Sequence, residues 1–252
     1  MAAFVVVGLA VLMFGASRWR AGQPRFRVDP GSITVDAMPA WADGELAVTI
    51  ARRLGAALGP PASLARSEDI DRWARVLDGD PWVERVVEAR GQFPYRASMA
   101  LVLRRPVMSV DGILWSADGW ALGEGGTTVE PVPLTYEGPL TDGALLECAA
   151  ACDEIRTARN DLLRDGLRLE RVGVSDGGYV VFGCEGGAQI VWGRSTRYHE
   201  MAQHDWPVEG RIDHIREAVL LDPGLANTAR IDVYLDRLRI VPAPTEEARG
   251  GR

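Results

Sequence analysis

The chain has 252 residues, of which 47% are hydrophobic and 25% are charged, and its net charge is −7. This length exceeds the roughly 100–150 residues of the commonest domains and favours two domains, and the composition excludes a globally disordered chain. The negative charge argues against a nucleic-acid-binding protein, which normally carries a basic patch.

The N-terminal segment is apolar, because residues 2–16 carry no charge and arginines follow at Arg18 and Arg20. A membrane-spanning helix needs about 20 apolar residues, so this run is short for a span, whereas the apolar region of a secretory signal has about 7–15. No basic region precedes the run, and Trp19 suits a membrane interface, so we interpret residues 1–20 as a transmembrane anchor. A signal-like segment is the first alternative, and a buried globular helix is the second. The positive-inside rule alone places the chain after these arginines in the cytoplasm. A basic tail upstream of the first residue would reverse that orientation.

Residues 24–81 predict a strand followed by two helices. Alternating apolar residues from Phe26 to Val35 indicate the strand. The first helix is predicted over residues 42–58, and the second begins at Ser67 and ends before Gly79. The apolar residues at helical spacing that support the two helices are Leu46, Ile50, Leu54, Leu58, Ile70, Trp73 and Leu77.

Residues 80–110 predict a β-hairpin. Its first strand runs from Val83 to Arg90, and its second strand places Ala97, Met99, Leu101 and Leu103 on one face. Such alternation is typical of a sheet with one buried face. One strand, two helices and a hairpin can bury a core between helices and sheet, so residues 24–108 are predicted to form one α+β domain.

The rest of the chain predicts a β-rich domain over residues 109–241 that also contains two helices. A hairpin is expected around Asp118-Gly119. The helices are predicted over residues 142–164 and 212–220. A three-strand meander is predicted over residues 167–174, 179–184 and 188–193. A last strand is predicted over residues 229–241. The Pro-, Glu- and Gly-rich tail, residues 242–252, is predicted to be disordered.

Residues for catalysis or cofactor binding are sparse in the sequence. His199 and His204 are five positions apart, about 140° around a helix, whereas the zinc-protease motif needs a spacing of four. Cys148, Cys152 and Cys184 are interpreted as buried thiols, because positions one helical turn apart suit a disulfide poorly. We therefore expect a binding protein, with no enzymatic activity and no cofactor, metal or small-molecule substrate.

The hairpin carries a resemblance to a known family. Its successive features are Pro81-Trp82-Val83, then Arg90, then Phe93-Pro94, then Arg104, Pro106 and Val107. This passage resembles the FtsQ/DivIB family of bacterial cell-division proteins, and the β-α-α-β-β order of residues 24–108 resembles a POTRA domain. The later Trp192-Gly193-Arg194 is similar to the family's Leu-Gly-Arg.

The chain also departs from the family pattern at two places. Leu103 stands where an acidic residue is usual, and Asp232-Val233-Tyr234 lacks the arginine of the family's Asp-Leu-Arg. The resemblance implies a single-pass protein of the cytoplasmic membrane, extracytoplasmic for most of its length and expected at the division septum. It implies binding to FtsB/FtsL-like proteins and, through them, to the septal peptidoglycan synthases FtsW and FtsI.

The expected mode of binding is the addition of a partner strand to an exposed sheet edge, which offers unpaired amides and carbonyls. The candidate edge is the last predicted strand, whose apolar Ile231 and Val233 are expected to pack in the core. Its predicted partner-binding residues are Arg230, Tyr234, Leu235, Arg237 and Arg239. The alternative function is a POTRA-containing accessory protein of envelope assembly or secretion that binds a client or a membrane partner.

Overall fold

The computed structural model describes residues 26–36, 38–42, 44–59, 61–64, 67–92, 96–124, 132–195 and 205–244, together with positions 19 and 23. The predicted anchor, apart from position 19, and the Phe93-Pro94 turn lie outside these residues, as does the predicted tail from residue 245. None of the helices formed by the described residues combines the length and apolar character needed to cross a bilayer.

The fold is α+β, and the chain forms two compact units that divide between Arg104 and Arg105. The helices of the described residues are α1 (Gly44–Ala57), α2 (Ser67–Asp78), α3 (Asp142–Arg164) and α4 (Val208–Leu221). The strands are β1 (Arg27–Val28), β2 (Ile33–Asp36), β3 (Ala62–Ser63), β4 (Val83–Gln92), β5 (Arg96–Leu103), β6 (Pro106–Val110), β7 (Ile113–Ser116), β8 (Ala121–Glu124), β9 (Leu134–Tyr136), β10 (Leu169–Val174), β11 (Val180–Cys184), β12 (Gln189–Gly193), β13 (Thr228–Asp232) and β14 (Arg239–Pro242).

The first unit contains a three-stranded sheet in the order β2-β5-β4, with β2 parallel and β4 antiparallel to β5. A separate pair joins β1 to β3. The four apolar residues predicted on one face of β5 are all buried, as expected for a sheet covered on that side. Its core consists chiefly of Leu46, Ile50, Leu54, Leu58, Trp73, Leu77, Trp82, Val83, Ala97, Met99, Leu101 and Leu103.

Polar contacts fix the ends of the β4–β5 hairpin. The carboxylate of Asp80 accepts a hydrogen bond from the backbone N–H of Trp82 at 2.9 Å. Arg104 donates to the carbonyl of Pro81 at 3.2 Å and also to that of Val83. The buried start of β4 is therefore held to the end of β5 by side chains as well as by the strand ladder.

The second unit contains a nine-stranded mixed sheet in the order β14-β13-β12-β11-β10-β9-β6-β7-β8. Helix α3 spans the predicted residues 142–164, and the meander β10–β11–β12 also lies where it was predicted. Cys148, Cys152 and Cys184 are free and buried, as interpreted from the sequence. Strand β9 was missed, because three residues are too few to show a period; it lies parallel to both β6 and β10.

The prediction of one long last strand over residues 229–241 is wrong. The segment forms two antiparallel strands, β13 and β14, joined by residues 233–238, so that Ile231 lies opposite Ile240 and Asp232 opposite Arg239. The reason is visible in the pattern: apolar residues occupy odd positions up to Leu235 and even positions at Leu238 and Ile240. One straight strand could not bury both sets on the same face.

Candidate protein-interaction edge

Strand β14 is at one end of the nine-stranded sheet, and within the described residues its only strand neighbour is β13. Three of its four residues are exposed. An edge strand presents unpaired backbone donors and acceptors on its outer side. We refer to the outer side of Arg239–Pro242 as the β14 edge.

The ladder determines which β14 residue points outward. Val233 donates its N–H to the carbonyl of Val191, on the β12 side, at 3.1 Å. Successive residues of a strand direct their backbone N–H and C=O groups to opposite sides. Asp232 therefore directs these groups to β14, and Arg239, which lies opposite Asp232, directs its N–H and C=O to β13. The next residue, Ile240, therefore directs both its N–H and its C=O to the free side.

The remaining positions of β14 agree with this assignment. Val241 pairs with Arg230 and faces inward, whereas Pro242 faces outward and has no N–H to offer. Proline is tolerated at an edge for that reason. Ile240 is thus the residue of β14 that supplies an outward donor.

The two faces of the β14 edge differ in chemistry. Ile240 lies opposite Ile231, which is fully buried, so its 37%-exposed side chain extends the apolar face of the sheet. Arg239 lies opposite Asp232 on the other face. An added strand would therefore meet an apolar neighbour and a cationic neighbour at successive positions.

Asp232 organises two of the predicted arginines. It is only 2% exposed, and its carboxylate contacts Arg230 at 2.6 Å and Arg239 at 3.9 Å. A buried carboxylate needs such partners because the loss of hydration is costly. Arg230 lies on the internal strand β13 and is therefore not an edge residue, whereas Arg239 is.

Tyr234 has a packing role instead of the exposed position that the alternation indicated. Its ring stacks on that of Tyr179 with centroids 4.8 Å apart, and its carbonyl accepts from the N–H of Trp206 at 2.8 Å. Burial raises the pKa of its hydroxyl, and nearby Tyr179 contributes in the same direction. Tyr234 therefore anchors the segment that connects β13 to β14.

The other two predicted residues also lie in this connection. Leu235 is half-buried, and Arg237 is exposed. The structure thus places Arg239 on the edge, Arg237 and Leu235 before it, and Arg230 behind it. Ile240 and Pro242 were missed by the sequence interpretation; the switch of apolar residues from odd to even positions was the signal that could have identified the edge.

Arg211 supports this end of the sheet from α4. It is fully buried, and it donates to the carbonyls of Trp192 at 3.1 Å and Arg194 at 2.9 Å and also to that of Trp206. Desolvation lowers the pKa of its guanidinium, whereas the negative charges of Glu154 and Asp205 act to raise that pKa. One side chain thereby links the end of β12 to the start of α4.

The described residues near this edge do not form a metal-binding site. The described residues contain no group of three or more His, Cys, Asp or Glu that could hold an ion. His214 contacts the carbonyl of Val233 at 3.3 Å through Nδ1 and stacks on Trp206. His199 and His204 lie outside the described residues.

Comparison with known proteins adds no relative: no protein-family model matches the chain, and no curated protein does.

Proposed function

We propose that this chain is a membrane-anchored scaffold of the bacterial division machinery, which organises septal peptidoglycan synthesis by binding FtsB/FtsL-like proteins. The observation that carries the binding mode is the β14 edge, where the register directs the N–H and C=O of Ile240 to the side on which no described strand pairs. A partner segment that adds to this edge would gain main-chain hydrogen bonds there. The family assignment is supported by the residues of the hairpin resemblance.

Residues of the two segments that carry the resemblance have defined roles in the fold. Trp82 is buried where β4 begins, and Arg104 binds the carbonyls beside it. Gly193 of the Trp-Gly-Arg segment has a φ of 98°, a conformation that favours glycine. Trp192 is fully buried and donates to the carboxylate of Glu154 at 2.8 Å.

The β14 edge also specifies the chemistry of the partner segment. Apolar side chains of an added strand would pack beside Ile240, and acidic side chains would lie near Arg239 and Arg237. The partner is therefore an extended segment in which apolar and acidic residues alternate. FtsW- and FtsI-like synthases would be reached through that partner.

Localisation in the native cells tests the proposed function. A fluorescent fusion of the full chain should concentrate at mid-cell during division, and an FtsB/FtsL-like protein should copurify with it. A uniform distribution around the envelope, with copurification of secretion or outer-membrane assembly proteins, would contradict the division role and favour the accessory function.

A further inference from the structure

The second unit contains a groove that is separate from the β14 edge. Its volume is about 700 Å³, within the roughly 300–1,000 Å³ typical of ligand clefts. It is lined by the C-terminal half of α3, by β9 with the two residues before it, and by the start of β10.

The groove exists because the sheet separates at this point. Strands β9 and β10 pair only through Thr135 with Arg171 and Tyr136 with Val172. Pro133, directly before β9, has no N–H and cannot extend the ladder. Neither Leu169 nor Glu170, the first two residues of β10, is paired with β9, and the register of the strands brings Pro133 level with Leu169.

The rim of the groove is apolar and open to solvent. Val132 is 57% exposed and Leu163 is 49% exposed, and both line the cavity. Leu167 and Leu169 are buried beneath. Large apolar side chains exposed together around a concave surface are typical of a binding site.

Arg159 is the feature that gives the groove specificity. Its Nη1 donates to the carbonyl of Val132 at 2.8 Å, which uses one of the five N–H groups of a guanidinium. Within the described part of the chain, no carboxylate lies within ion-pair distance of it. Desolvation of this half-buried guanidinium lowers its pKa.

The neighbouring arginines of α3 differ from Arg159. Arg156 contacts Asp153 at 3.0 Å and Arg164 contacts Asp161 at 2.5 Å, each with its acid three positions earlier. Around Arg159 the positions one turn away are Ile155, Arg156, Leu162 and Leu163, so the helix itself supplies no acid. The other arginines of the groove are also paired, Arg171 with Glu137 at 3.3 Å and Arg168 with Glu185 at 3.6 Å.

We propose that this groove binds an extended peptide segment of a partner protein, with a carboxylate of that segment paired to Arg159 and an adjacent aliphatic side chain packed between Val132 and Leu163. The carboxylate would pair with a guanidinium for which the described residues supply no counter-ion. The backbone of Leu169 can receive the segment, because Arg168 directs its carbonyl to Glu185 on the β11 side and the next residue is therefore directed to the other side. This site is independent of the β14 edge and does not require the division role.

A library of random eight-residue peptides, displayed on phage and selected on the full chain, tests the proposal. The selected peptides should carry Asp or Glu beside an aliphatic residue. Their affinity should fall at least about tenfold in Arg159→Gln and in Leu163→Asp, since each variant removes one of the two contacts. Arg164→Gln, on the same helix but exposed and paired, should bind as the unmodified chain does, and so should Ile240→Pro.

Melting temperatures of the variants separate a lost contact from a lost fold. If Arg159→Gln fails to fold, Leu163→Asp still tests the groove, because it alters an exposed position. Selected peptides without an acidic preference, or peptides that bind both groove variants undiminished, would overturn the proposal. Octanoate, an aliphatic chain with a carboxylate, represents a small-molecule ligand. Tighter binding of octanoate than of every selected peptide, lost in Arg159→Gln, would also overturn it.

Discussion

Gly193 and Tyr234 approach each other so closely that no side chain fits between them. A Cβ added at Gly193 would lie 2.5 Å from the Cβ of Tyr234 and 2.7 Å from a carboxylate oxygen of Asp205. Gly193 also has a φ of 98°. The contact joins the end of β12 to the segment that leads into β14, so the position of the β14 edge depends on a glycine.

Gly193→Ala should lower the free energy of unfolding by about 2–4 kcal/mol, because backbone strain and overpacking both act. Gly178→Ala is the matched control: its φ is 75° and no heavy atom lies within 4 Å of the added Cβ, so only strain of about 1–2 kcal/mol is expected. Urea unfolding of both variants checks the difference. Equal losses would show that the close approach to Tyr234 does not constrain the fold.

Arg211→Met should destabilise the second unit by about 3–5 kcal/mol, because it leaves the carbonyls of Trp192, Arg194 and Trp206 without this donor in a buried region. Arg216→Met, on the same helix, removes a partly exposed arginine that contacts Asp213 and should cost less than about 1 kcal/mol. Chemical denaturation monitored by tryptophan fluorescence measures both. A small effect at Arg211 would mean that water replaces its hydrogen bonds.

Much of the second unit could be predicted from sequence, because α3 is long enough to show an apolar pattern and glycine pairs mark the turns of the meander. Helix α3 begins and ends at Asp142 and Arg164 as predicted, and Gly178 and Gly187 have the positive φ that the meander turns require. Strand β9 could not be predicted, since its place between β6 and β10 is set by long-range pairing and not by its own three residues.

The candidate site was only partly predictable for a related reason. The sequence indicated the C-terminal strand region as an edge, and Arg239 lies there. Alternation alone placed Tyr234 on an exposed face, but the turn after Asp232 carries its ring onto Tyr179. Ile240 became recognisable as the outward residue only once the pairing register of β13 and β14 was known.

Asp222 should make stability depend on pH. The hydroxyl of Thr228 donates to its carboxylate at 2.7 Å, and with the donors of Asn227 it lowers the pKa of Asp222 from its ordinary value. A lowered folded-state pKa contributes stability that is present above the unfolded value of about 4 and is lost as pH falls through the folded value. Thr228→Val should therefore show a smaller loss of stability on acidification below pH ~4 than the unmodified chain.

Asp222→Asn provides the control for this pH dependence, because it removes the titrating group. Thr228→Val should change how the stability of the unmodified chain depends on acidic pH. Introduced into the Asp222→Asn chain, the same substitution should leave the pH dependence of stability unaltered. Thermal melts over a series of acidic buffers measure this. An identical acid dependence in the unmodified chain and in Thr228→Val would show that the hydroxyl does not stabilise the carboxylate.

In the proposed function a partner strand pairs with the outward backbone of Ile240, and Ile240→Pro tests this pairing most directly. The substitution removes the outward N–H without removing a hydrogen bond to β13, whereas Ile240→Ala shortens the side chain and keeps the N–H. Binding of an FtsB/FtsL-like ectodomain to the full chain should be lost in Ile240→Pro and retained, with a modest loss of affinity, in Ile240→Ala, at similar melting temperatures. Undiminished binding by a folded Ile240→Pro chain would contradict the account.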